Sequence, residues 1–127
     1  MPKFNQYTNK CVSSVGAAGV ADTLTITPIA TEKVYITALQ VYRATNAAEA
    51  TGAVLTITST NLPGTPSWLV GLAVVAGNTV KDIDMTFDPP LESLVAGTAV
   101  TIVCPDPGTT PQWNSRAFYY TRTPSDG

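Results

Sequence analysis

Histidine is absent from this 127-residue chain. That removes the commonest general base, the commonest zinc ligand and every Ser-His or Cys-His nucleophile. Charge is scarce as well. Asp, Glu, Lys and Arg make up 13% of the residues, where an average soluble domain carries roughly 25%. The seven Lys and Arg are scattered and the net charge is −2. No basic stripe is present to neutralise phosphates, so nucleic acid is not an expected partner. Apolar runs are short: "WLVGLAVVAG" covers about ten residues, half of the roughly 20 that cross a bilayer as a helix. A membrane is therefore not an expected partner either. The opening "MPKFNQYTNK" is polar and lacks the apolar segment of a secretion signal, so the expectation is synthesis and use without Sec export. The two cysteines, Cys11 and Cys104, have no CxxC spacing and allow at most one disulfide. "GAAG" lacks both a preceding strand and the Lys-Ser/Thr of a phosphate loop. This set predicts no enzyme and no cofactor.

What the chain does have is apolar and neutral-polar residues. Hydrophobic residues are 44% of it, the balance of a folded chain and the reverse of a disordered one. So little charge leaves two ways to treat the surface. Either partners cover it, or neutral polar groups coat it, and twenty threonines can supply that coat. The length suits one domain.

The pattern along the chain has a period of two. In "DTLTITP", Leu24 and Ile26 alternate with Thr23, Thr25 and Thr27, as in a half-buried strand. "KVYITALQVYRA" is apolar on both faces, which predicts a central strand covered on both sides. "GAVLTITST" alternates again, and "SWLVGLAVV" suits a buried strand or a short helix, its valines and flanking turn residues favouring the strand. In "KDIDMTFDPP", Ile83, Met85 and Phe87 oppose Asp82, Asp84, Thr86 and Asp88. The prolines lack ladder donors, so this strand is predicted to stop at Pro89 and to be an edge or crossover strand, blunted against stray pairing. "GTAVTIVC" and "SRAFYYTRT" add two more strands, with Cys104 at a core position. "ATNAAEATGA" has helical composition but is weakened by Gly52 and its threonines.

The expected fold is all-β: a single β-sandwich or jelly roll of about seven or eight antiparallel strands with an extended N-terminal arm. Residues 1–21 read as the arm, 22–123 as the sandwich and 124–127 as a polar tail.

Few side chains invite a site. Acids two apart on a strand share a face, so Asp82, Asp84 and Asp88 could meet a hard cation. They lack the acid-and-glycine loop of calcium motifs, and an acid-apolar strand reads as a solvated face. No metal is expected. Trp68 and Trp113, in "PSW" and "PQW", have three readings: sugar platforms, interface anchors, or plugs that close the sandwich ends. Phe4 and Tyr7, beside Lys3, are either part of a frayed tail or anchors by which the arm docks on a neighbour. The expected partner contacts are Lys3, Phe4, Tyr7, Trp68 and Trp113.

Two stretches carry a resemblance. "ATEKVYITALQVYRATNAAEATGAVLTI" and "IDMTFDPPLESLVAGTAVTIV" resemble successive parts of small virion proteins of tailed bacteriophages, over residues 28–104. The family's usual last Gly-rich turn is replaced here by "PDPGTTPQWNS". The resemblance implies a capsid decoration (cement) protein on the outer head surface of the virion, made in the host cytoplasm. It implies the major capsid protein as partner and self-association, a homotrimer before a dimer. The alternative is a carbohydrate-binding sandwich or a head or tail fibre component.

Overall fold

The computed structural model describes residues 9–45, 54–71, 77, 79–108 and 110–123. The chain is all-β. Among the described residues eight strands form, in the order β1 (Lys10–Val15), β2 (Asp22–Ile26), β3 (Lys33–Ala44), β4 (Leu55–Thr60), β5 (Trp68–Val70), β6 (Thr79–Glu92), β7 (Val100–Cys104) and β8 (Gln112–Arg122). They build two four-stranded sheets, ordered β1-β8-β3-β6 and β2-β7-β4-β5, and every pairing between them is antiparallel. That strand order is the jelly-roll order, two Greek keys folded into a sandwich.

The core lies between the sheets. Leu24 and Ile26 of β2, Ile57 of β4, and Val100 and Ile102 of β7 meet Val34, Ile36, Leu39 and Val41 of β3 and Ile83 of β6, all essentially buried. Each such side chain removed from water stabilises the fold by about 1.5–3 kcal/mol before conformational entropy is subtracted. Loop geometry follows from the strand directions. The β2–β3, β4–β5 and β6–β7 loops share one end of the sandwich, and the β1–β2 and β7–β8 loops share the other.

Four sequence expectations change. The arm does not extend to residue 21, because residues 10–15 are strand β1, in register with β8 from Lys10↔Tyr119 to Val15↔Asn114. Serines hid its period: Val12 packs on the core, and Ser14 points the same way because its hydroxyl donates to Asp22 Oδ1 at 2.9 Å. Residues 1–8 lie outside the described residues.

β6 does not stop at Pro89 but continues to Glu92. It is an edge strand, so half of its backbone groups face no ladder and proline is tolerated there. Ile36 pairs with Leu91 and Ala38 with Thr86, so residues 87–90 bulge opposite Thr37. The Asp88–Pro89 peptide is cis. On the other side of β3, the Thr37 hydroxyl donates to the Phe118 carbonyl of β8 at 3.0 Å.

Asp82 does not share the solvent face of Asp84. A second register shift, between Val41 and Tyr42, turns its side chain inward. β3, lastly, is central in its sheet but covered by the core on one face only.

Candidate functional site

The two outer faces differ in chemistry. On the β2-β7-β4-β5 sheet the outward positions are mostly threonine: Thr23 and Thr25, Thr56, Thr58 and Thr60, and Thr101. Thr60 and Thr101 share a hydroxyl–hydroxyl hydrogen bond of 2.6 Å. This is the neutral polar coat.

The outer face of the β1-β8-β3-β6 sheet carries aromatic and planar polar groups instead, in rows set by the strand registers. One row is Val15, Asn114, Tyr42 and Lys81; the next is Ser13, Arg116, Gln40 and Asp84; the next is Cys11, Phe118, Ala38 and Thr86. A fourth row sets Tyr120 against Tyr35 and Glu92. There the two tyrosine rings stack at 5.0 Å, 7° from parallel, and the Arg122 guanidinium lies over Tyr35 at 5.2 Å. Gln40 donates to Asp84 Oδ1 at 3.4 Å, an exposed and long bond. Arg116 has no ion pair among the described residues.

The end formed by the β2–β3, β4–β5 and β6–β7 loops is the second exposed feature. Ile29, Leu94 and Val95 stand there 66%, 54% and 56% exposed. Asn61 holds these loops together. Its Oδ1 accepts from Val95 N at 2.9 Å, and its Nδ2 donates to the carbonyls of Val95 at 3.2 Å and Thr98 at 3.0 Å. Its own carbonyl accepts from Leu94 N at 3.0 Å. Asn61 adopts φ 60°, a left-handed conformation that Asn enters more readily than other non-glycine residues. Gly97 N donates to Glu32 O at 2.9 Å and so joins the third loop. A Cβ at Gly97 would lie 2.6 Å from the Ala30 carbonyl oxygen, and its φ is +74°. Only glycine fits there. The apolar side chains therefore sit on loops whose backbone is already ordered.

Inside the sandwich, toward the opposite end, Trp113 is fully buried. Its indole N–H donates to Pro105 O at 2.6 Å and Arg43 lies over its ring at 5.7 Å. Of the three readings open to it, the structure places it in the core, with no face left for a sugar or a partner. Trp68 is half-buried on β5 and packs against the core. Lys3, Phe4 and Tyr7 lie outside the described residues. Cys11 and Cys104 are both free, one exposed and one buried. Burial, with Asp22 and Asp82 nearby, pushes the Cys104 thiol up to about 12. Among the described residues no group of three His, Cys, Asp or Glu side chains could hold a metal ion. Nor is any helix there long and apolar enough to cross a membrane.

Leu94, Val95, Asn61 and the aromatic face were missed in the sequence. One signal was available for the first two: an apolar pair inside a turn, just before "AG". No family model matches the chain, and no curated protein matches it.

Proposed function

We propose that the chain is a non-enzymatic virion structural protein of the capsid decoration type. It binds the outer head surface and stabilises contacts between major capsid subunits. The observation that carries this reading is the apolar end: Ile29, Leu94 and Val95, exposed on loops locked by Asn61 and Gly97. A contact surface ordered before docking loses little conformational entropy on binding. That suits a site repeated many times on one lattice, where each copy adds buried apolar area between neighbours.

Three further features support it. The strand order is one that viral capsid domains use. The sequence contains no histidine, and residues 28–104 carry the resemblance described above. Self-association is part of the reading, since closed symmetric assembly is how small domains multiply weak contacts. A sugar-binding role has less behind it. One of its two tryptophans is enclosed between Arg43 and the Pro105 carbonyl.

The test is particle composition. Virions from a host expressing this chain are purified, and its copies per major capsid subunit are counted by quantitative mass spectrometry. A fixed stoichiometry of tens to hundreds of copies per head, lost in the variant Leu94→Asp/Val95→Asp while that variant still folds, is the expected result. Absence from particles sinks the reading. A few copies confined to the tail moves it to a fibre component.

A further inference from the structure

The outer face of the β1-β8-β3-β6 sheet carries aromatic, amide and charged groups where the other outer face carries mostly threonine. We propose that its occupant is a second copy of this chain, packed face to face across a two-fold axis that runs along β3.

Charges within the rows are complementary under such a rotation. In the central row, Arg116 on β8 and Asp84 on β6 flank Gln40 on β3. β8 and β6 lie on opposite sides of β3. A two-fold rotation about β3 exchanges those sides and keeps each row at its own height. Arg116 then meets Asp84 of the second copy, and Asp84 meets its Arg116, giving two equivalent ion pairs. Gln40 meets Gln40 of the second copy. A carboxamide both donates and accepts, so identical amides pair without conflict.

The neighbouring rows obey the same rotation. Lys81 meets Asn114 of the second copy, an ammonium against an amide oxygen. Thr86 meets Phe118, and Ala38 meets Ala38, where small side chains let the sheets approach. No like charges meet in these three rows; Lys33, on the same face near the start of β3, lies toward its counterpart in the second copy but is paired with Glu92 at 3.2 Å. Packed sheets cross at about −30°, which shifts the outer rows and leaves the central one in register. The central row is the one where the rotation brings opposite charges together. Within one copy, Arg116 has no ion pair among the described residues. Asp84 is exposed and, among the described residues, holds only the 3.4 Å bond from Gln40. Both charges are available.

A patch that contacts itself closes at two copies. The face thus specifies a dimer, where the resemblance placed a trimer first, and it leaves the Ile29, Leu94 and Val95 end free. The inference does not rest on the virion reading, and its test involves no capsid.

The measurement is light scattering after gel filtration, from about 1 to 500 µM, the range where weak and strong dimers separate. The expected mass is twice the 13.3 kDa of the chain. Arg116→Asp and Asp84→Arg should each weaken the dimer at least ~100-fold, and the double variant, with the charges exchanged, should restore it. Gln40→Cys, in a Cys11→Ser background, should be joined to its counterpart by a short bismaleimide, because position 40 lies on the axis. That second readout stands if a charge variant fails to fold. A monomer throughout the range overturns the proposal. So do a trimer, a dimer indifferent to Arg116→Asp, and a double variant that stays dissociated.

Discussion

Arg43 and Asp82 meet between the two sheets as a side-on pair, Nε to Oδ2 at 2.6 Å and Nη2 to Oδ1 at 2.9 Å. Their side chains are 3% and 2% exposed. Two charges this deep lose nearly all their hydration, and the paired hydrogen bonds offset that loss only while both partners are present. The Trp113 ring beneath the guanidinium completes the enclosure.

Removing one member should therefore cost more than removing both. Arg43→Met or Asp82→Leu alone leaves one buried charge and should destabilise the chain by about 3–5 kcal/mol. Combined, the two apolar substitutions should recover most of that. Urea midpoints for the single and double variants check this. Single variants within about 0.5 kcal/mol of the parent would show that the pair is not enclosed in solution.

The two thiols should behave in opposite ways. Cys11 is exposed and Cys104 buried, so iodoacetamide on the folded chain should add one group, at Cys11. Cys104 should react only after unfolding. Its raised pKa also has a sign. The folded state holds the thiol proton from the ordinary value of 9.0 up to about 12, while the unfolded state releases it. This contribution to stability is complete below about pH 9 and is lost as pH rises toward about 12. The stability gap between the parent and Cys104→Val should shift in favour of the variant across that window, as read from denaturant midpoints. A gap that stays constant with pH would mean that the thiol is hydrated in the folded chain.

The tryptophans separate in the same manner. Trp113 is enclosed, so Trp113→Ala should destabilise by about 3–5 kcal/mol. Trp68, half-buried at the edge of its sheet on β5, should cost less. Thermal unfolding of both variants tests the order, and equal losses would contradict it.

These results also show where period-two reading succeeds. Leu24 and Ile26 against Thr23 and Thr25 were legible because the two side-chain classes differ in polarity at every step. β1 was not, since Ser14 faces inward on the strength of a bond to Asp22, eight residues along the chain, that no local pattern announces. Asp82 was misplaced for a related reason. One extra residue in β6 reverses the face of a side chain, and the partner that made it tolerable, Arg43, lies on another strand. β6 is the edge strand that its Pro-Pro pair suggested, but an edge leaves half of the backbone groups without a ladder partner, so the pair did not end it. The apolar end is formed by loops that meet only after the sheets are folded. Its components were visible, but their assembly was not.

That end supplies the last prediction, because its order is separable from its chemistry. Asn61→Gly keeps the left-handed backbone and deletes three side-chain hydrogen bonds, whereas Asn61→Ala deletes the same bonds and adds about 1–2 kcal/mol of left-handed backbone cost. These bonds are partly solvated, so their own loss should cost at most about 1 kcal/mol apiece. Asn61→Ala should therefore be less stable than Asn61→Gly. Gly97→Ala should lower stability too, since its Cβ would press on the Ala30 carbonyl. None of the three alters the side chain of Ile29, Leu94 or Val95, so the apolar groups stay the same while the loops that carry them loosen. Amide hydrogen exchange at Leu94, Val95 and Gly97, whose N–H groups bond across the loops, should accelerate in each variant, with protection in the core strands kept. If capsid occupancy falls together with that protection, docking depends on loop order as well as on exposed apolar surface. Unchanged exchange would mean that the loops are held by the strands below them and that Asn61 is dispensable.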